Sequence, residues 1–308
     1  MGAPGEGDAG ALLPSAEERL AVLRAAHQQR RPGWVDAALE ALLFDEDARV
    51  RSEAIAAAEH VAAAEALPHL VEGLRAVIEG VELGFTLDEV VFVDRLRDLP
   101  PGRRLAKLIA GTGARALEVT PEVLVKIARR DNPQTVIGAF RRREFTLADV
   151  RPETGALWVV LEGIKDPGNL GTVLRTLDAV KGAGVILVGD TCDPWSVEAV
   201  RATMGSLFVN RIVRAPMAAF LDWRRGWTGT VVGTALTAAV DYRLVDYRPP
   251  LLLMMGNEQS GLPPQMVEAC DRTVKIPMLG RADSLNLAVS TGIMLYEVVR
   301  CRQPLAES

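Results

Sequence analysis

Asn169 and Arg175 stand where an apolar run gives way to an expected helix, in the stretch LEGIKDPGNLGTVLRT over 161–176. An amide and a guanidinium placed there can hold a hydroxyl or a phosphate without help from imidazole. The plainer alternative is a turn in which Asn169 caps the helix and Arg175 is solvated. Residues 251–266, LLLMMGNEQSGLPPQM, repeat the pattern: five apolar residues deliver Gly256, Asn257 and Glu258 to a loop that Gly261 and Pro263 turn into a helix. A carboxylate between glycines, where backbone amides can approach closely, suits a ligand better than a solvated turn. In 274–300, VKIPMLGRADSLNLAVSTGIMLYEVVR, Pro277 interrupts a strand and leaves the backbone of Ile276 and Met278 available. Ser284 is the expected cap of the last helix, with Leu285 and Asn286 at its start. Asn286 is expected to face inward beside Ala288 and Ser290, and for those two small residues packing is the preferred role.

The elements that must carry these loops alternate from residue 156 onward. Apolar strands at 156–164, 184–189, 208–215, 229–236, 250–256 and 272–278 alternate with amphipathic helices at 170–181, 194–204, 216–224, 263–270 and 286–300. That pattern predicts a parallel sheet covered on both faces, with ligands at the carboxyl ends of its strands. A smaller α/β unit is expected over 67–146, opening with a helix that runs from about 69 to Gly84. Residues 147–155, polar and holding Pro152, form the expected linker. Residues 15–66 predict helices, with Ser15 and Glu18 as a capping box, and 1–14 a mobile tail.

Composition narrows the chemistry. The three histidines, His27, His60 and His69, all precede the second half of the chain, so chemistry in the later loops cannot rest on imidazole. Cys192, Cys270 and Cys301 are odd in number and far apart, which predicts neither a disulfide framework nor a zinc site, and fits a reducing cytoplasmic setting. The opening MGAPGEGDAG lacks the basic and apolar regions of a secretory signal, and no apolar run approaches a membrane span. GEGDAG at 5–10 and GTGARA at 111–116 satisfy a dinucleotide-binding pattern literally, but neither follows a strand. A net charge of −5 speaks against wholesale nucleic-acid binding. Against that balance, Lys126, Arg129, Arg130, Arg141, Arg142 and Arg143 crowd into 126–143, as a solvated face or a local phosphate-contacting patch.

The three loops, DPGNLGTVLRT, MGNEQSGLP and IPMLGRADSLNLAVSTGIMLYE, resemble in order and spacing the signature motifs of the SpoU/TrmH class of SPOUT RNA methyltransferases. The segment from HLVEGLRAVIEG through DNPQTVIGAF is similar to that class's L30e-like substrate-binding domain. Arg281, Ala282 and Asp283 depart from the usual pattern of the third motif. The resemblance implies an α/β fold whose C-terminal SPOUT domain, 156–308, has a parallel sheet and a deep trefoil knot, one of the rare exceptions to unknotted topology. It also implies a homodimer and S-adenosylmethionine (SAM) as methyl donor. The implied reaction is methylation of a ribose 2′-hydroxyl, in 23S-type ribosomal RNA ahead of transfer RNA. By that likeness SAM is held by Thr234, Ala235, Leu236, Gly256, Asn257, Glu258, Gly261, Ile276, Met278, Ser284, Leu285, Asn286 and Ala288. Asn169, Arg175, Glu258 and Asn286 match the polar positions around the transferred methyl, and the basic window becomes an RNA-docking face. Two rivals stay open at this point: an RNA-binding protein that keeps the fold without turnover, and a small-molecule enzyme on a generic α/β sheet.

Overall fold

The structure, a computed structural model, describes residues 69–93, 100–129, 131–236, 238–257 and 260–302. The expected tail and helices of 1–66, together with Arg130 and Glu258, lie outside the described residues. The chain divides into two compact units, one containing Glu118–Pro133, the other Pro68–Leu117 and Gln134–Ser308. In the first, helix α3 (Pro121–Ala128) starts at Thr120 with Pro121 in its first turn, and ends at Arg129 in the left-handed region. Pro suits that first position because its missing N–H has no intrahelical partner there.

The second unit carries two sheets. The smaller comprises β1 (His69–Glu72), β2 (Leu87–Phe92), β3 (Arg115–Glu118) and β4 (Val136–Phe140) in the order β1-β4-β2-β3. Helices α1 (Leu74–Glu82) and α2 (Pro100–Ile109) accompany it. Here one expectation fails. The helix predicted from 69 begins only at Leu74, and His69–Glu72 is a strand paired antiparallel with β4. Gly73 separates the two with φ 110°, a backbone state that breaks a helix, and β4 supplies a ladder that local propensity could not announce.

The larger sheet has β5 (Leu157–Glu162), β6 (Gly184–Val188), β7 (Arg211–Ala215), β8 (Thr230–Thr234), β9 (Val240–Asp241), β10 (Leu251–Met255) and β11 (Arg272–Lys275). Their order is β7-β6-β5-β10-β8-β11-β9, and every pair is parallel. Alternate residues explain the apolar runs. Leu157, Val159 and Leu161 of β5 join one core cluster while Trp158 and Val160 join another, and β10 divides in the same way. The first cluster is closed by α4 (Pro167–Ala179), α5 (Val197–Thr203) and α8 (Leu287–Arg302); the second by α6 (Met217–Arg224) and α7 (Pro264–Glu268). Both faces are therefore covered, which is what continuous rather than alternating hydrophobicity requires.

The stretch expected to be a linker is tied down. Leu147–Asp149 form a turn of 3-10 helix capped reciprocally by Thr146 and Asp149, Phe145 bridges to Val213 of β7, and Val150 is buried in the second cluster. The small sheet also packs on the large one. Phe208, just after α5, meets Phe85 and Phe140 edge-on at ring-centroid distances of 4.8 and 4.9 Å, and Arg201 of α5 pairs with Glu72 at 3.2 Å. Truncating Phe208→Ala empties this socket, so the unfolding free energy measured by denaturant titration should fall by about 3–5 kcal/mol.

Candidate active site

The chain order of the large sheet reverses direction between β5 and β10, and loops at such a switch point open a crevice. A cavity of about 290 Å³ lies at the carboxyl ends of β8, β10 and β11. Thr234, Ala235 and Leu236 line it after β8, then Met255, Gly256, Asn257, Ser260, Gly261 and Leu262 after β10. Val274, Lys275, Ile276, Met278, Ser284, Leu285, Leu287 and Ser290 complete the wall, with Val267 from α7. The lining is chiefly apolar, punctuated by hydroxyls and glycine backbone.

The loop after β10 is drawn tight. Gly261 N–H donates to Asn257 O at 2.9 Å, and Asn257 Nδ2 donates to Gly163 O, just past β5, also at 2.9 Å. A Cβ on Gly256 would sit 2.1 Å from the Gly261 carbonyl carbon and 2.2 Å from Leu262 N, so this position excludes every side chain. Beyond β11, Pro277 coincides with the end of pairing as expected, and Ile276–Leu279 run irregularly along the cavity.

Ten of the thirteen residues expected around a cofactor line this cavity: Thr234, Ala235, Leu236, Gly256, Asn257, Gly261, Ile276, Met278, Ser284 and Leu285. Glu258 falls outside the described residues. Ala288 does not line it; at 5 % exposure it packs in the main core, because the first turn of α8 points that side of the helix inward. Ser290, assigned to packing, does line it. Sequence reasoning also missed Met255, Leu262, Val267 and Leu287, apolar residues indistinguishable in sequence from core.

One alternative is set aside and one expected cap fails. Asp166, not Asn169, caps α4, its carboxylate accepting Asn169 N–H at 2.6 Å. Asn286, not Ser284, caps α8: its Oδ1 accepts from the N–H groups of Ala288 at 2.9 Å and Val289 at 3.2 Å. Both pairs satisfy N-terminal amide donors, and in each the side chain that does so stands directly before the helix. Asn286 is also exposed rather than turned inward, and its Nδ2 donates to Asn169 Oδ1 at 2.9 Å. The structure thus brings Asn169 and Asn286 together across 117 residues. Arg175 lies further along α4 on its solvent side, with Thr172 and Ala179, opposite the buried Leu170, Val173, Leu174 and Leu177. It is not among the cavity-lining residues.

Of the basic window, Lys126 and Arg129 are exposed in the first compact unit. In the second unit Arg141 pairs with Asp88 at 2.8 Å, Arg142 stands over the Trp195 ring at 5.8 Å, and Arg143 donates to Gly84 O while covering the Phe85 ring at 3.7 Å. Burial pushes the thiols of Cys192 and Cys301 upward and that of Cys270 to about 12, so these cysteines stay protonated at neutral pH.

A doubly covered parallel sheet with a ligand-sized cavity at the carboxyl ends of its strands defines an α/β protein of the cofactor-binding kind. The sequence pattern of the SpoU rRNA Methylase family matches residues 156–296, and that of the MRM3-like substrate binding domain matches 64–138. A 23S rRNA (uridine(2479)-2′-O)-methyltransferase of Streptomyces viridochromogenes is 32 % identical over 240 residues, covering 76 % of this chain and 83 % of that protein. A 23S rRNA (guanosine(2553)-2′-O)-methyltransferase of Bacillus subtilis is 27 % identical, covering 74 % and 87 %. Among solved structures, an AdoMet-bound rRNA methyltransferase from Sinorhizobium meliloti is 41 % identical with a TM-score of 0.71, covering 86 % of this chain and 93 % of that one. The chain belongs to the SpoU rRNA methylase family.

The double duty of Asn286 separates by substitution. Asn286→Ala should lower the unfolding free energy by about 1 kcal/mol through loss of the cap. Asn286→Asp keeps the capping acceptor and should recover most of that in thermal or denaturant unfolding, while losing the donor to Asn169.

Proposed function

We propose that this chain transfers a methyl group from SAM to a ribose 2′-hydroxyl of 23S-type ribosomal RNA. The observation that carries the proposal is the cavity at the ends of β8, β10 and β11, walled by two of the three motif loops and linked to the third through Asn257 and Gly163. Its apolar lining, with Thr234, Ser260 and Ser284 at intervals, suits a flat heterocycle with polar edges. The close approach of Gly256 to Gly261 shapes a wall that any side chain would fill, so the residues present fit the cofactor. The relatives named above that span most of this chain are named for 23S rRNA, which favours that RNA over tRNA.

When bound, SAM supplies a methyl already activated on a sulfonium. The chain's task is then to align the weak nucleophile, the ribose hydroxyl, and to favour its ionised form. Arg175 holds that hydroxyl from the solvent side of α4, its charge stabilising the alkoxide. A guanidinium keeps its own protons, so an RNA phosphate paired with Arg175 accepts the hydroxyl proton. Asn169, anchored by Asn286, orients the ribose, and Glu258 steadies the cofactor loop. Residues 67–146 dock the RNA, with Lys126, Arg129, Arg130 and Arg141–Arg143 on its phosphates, and residues 156–308 form the methyltransferase domain.

A homodimer belongs to the same proposal. Val289 and Tyr296, 52 % and 57 % exposed, share one stripe of α8, and Arg175 lies outside the cavity lining, so a second copy is a natural source of the Arg175 that meets each cavity. The trefoil knot is supported by β10, which inserts between β5 and β8 although β8 precedes it in the chain. Among the described residues no helix is long and apolar enough to cross a membrane. A cytoplasmic location is part of the same proposal and is supported by the bacterial rRNA-modifying relatives.

Two variants test the assignment of roles. Arg175→Ala should reduce methylation of 23S rRNA at least about 100-fold while S-adenosylhomocysteine (SAH) binding by calorimetry stays near wild type. Gly256→Ala should lose SAH binding itself; loss of SAH binding in Arg175→Ala instead would place Arg175 in the wrong role. Tyr296→Glu should shift the protein from dimer to monomer in light scattering.

A further inference from the structure

Helix α4 carries Arg175 on its solvent side and, three residues on, the half-buried Asp178. Side chains three apart on a helix are neighbours, and an arginine and an aspartate so spaced attract each other. Here the carboxylate is engaged elsewhere. Ser206, 8 % exposed at the start of the 3-10 turn that follows α5, donates its hydroxyl to Asp178 Oδ2 at 2.7 Å. Arg175 makes no ion pair among the described residues. The turn that presents Ser206 is clamped to α4. The side-chain amide of Asn210, 6 % exposed, donates to Ser206 O at 2.7 Å and to Leu174 O, the carbonyl just before Arg175, at 3.0 Å. α4 and α5 also touch: a Cβ on Gly171 would lie 2.4 Å from Ala202 Cβ and 2.7 Å from Ala199 O. Gly205, with φ 102°, turns the chain out of α5 into Ser206. Asp178 stands in the last turn of α4, against the negative end of the helix dipole, so its carboxylate needs a donor or a cation.

We infer that Ser206 is a positioning residue for the methyl transfer: by engaging the Asp178 carboxylate it keeps that anion from pairing with Arg175 and leaves the guanidinium available to the RNA. The inference rests on Arg175 being the group that meets the ribose hydroxyl, as proposed above. Ser206 is not among the residues that line the cavity, so it acts through Asp178 and touches neither methyl donor nor ribose. Without the hydroxyl, the carboxylate turns to the cation one turn back. A guanidinium held in that pair must be released before it can hold a hydroxyl or a phosphate. Neutralising Asp178 removes the competitor, so the two substitutions together should leave Arg175 as available as it is in the wild type.

Full-length Ser206→Ala, Asp178→Asn and the double variant, compared with wild type, test this. Ser206→Ala should lower kcat/KM for RNA about two- to fivefold, the range a surface ion pair supplies, while the KM for SAM and the affinity for SAH stay near wild type. Asp178→Asn alone should stay near wild type, and adding it to Ser206→Ala should restore kcat/KM for RNA, a rescue that lost packing would not give. In an Arg175→Ala background, Ser206→Ala should cause no further loss. If Ser206→Ala fails to fold, Ser206→Cys, of similar size but a weak donor, should show the same fall and the same rescue. An unchanged kcat/KM for RNA in folded Ser206→Ala, a double variant no better than Ser206→Ala, or a further loss in the Arg175→Ala background would overturn the assignment. Wild-type protein that binds no SAH, or Arg175→Ala as active as wild type, would instead overturn the proposed function on which it rests.

Discussion

One hydrogen bond, from Asn257 Nδ2 to Gly163 O, joins the loops that follow two adjacent strands where the sheet reverses its order. Around it the site has little freedom. Gly256 cannot carry a side chain, because the returning backbone at Gly261 and Leu262 already occupies that space. Because the loop after β10 doubles back so closely, Leu262 drops into the second core cluster and α7 packs against the sheet. The cavity is consequently a product of a closed loop, not a gap between mobile ones.

A second, longer connection runs from Asn286 to Asn169. The same side chain ends the disorder of direction after β11, by capping α8, and reaches the first turn of α4. Its oxygen serves the helix and its nitrogen serves the neighbour, a division that an amide can make and a carboxylate cannot. Stability and the arrangement of the polar groups are thus coupled through one residue. Arg175 is outside this set of contacts: it stands on the solvent side of α4.

The small sheet is held against the large one by aromatic packing around Phe208 and by the Arg201–Glu72 pair, while Phe145 and Val150 pin the connecting chain. A polar connector with a proline reads as a linker in sequence. Here it is bridged and partly buried, so the distance between the small sheet and the switch-point loops is set by packing. The arginines at 141–143 show the same economy: each is tied to an acid, a carbonyl or an aromatic ring of its own chain.

The sequence by itself determined the doubly covered parallel sheet, since runs such as 157–161 and 251–255 must bury both faces, and it placed the three polar loops at strand ends. Local glycine, proline and amide signals singled out Gly256, Asn257, Gly261, Ile276 and Met278, while Thr234, Ala235 and Leu236 came only from the resemblance to the family. Only the tertiary structure decided the rest. His69–Glu72 became a strand because β4 offered a partner, Asp166 and Asn286 took the caps because of where the helices begin, and Ser290 and Leu287 faced the cavity while Ala288 did not. These outcomes depend on pairings across many residues of chain, and short-range propensity carries no information about a neighbour that only folding supplies.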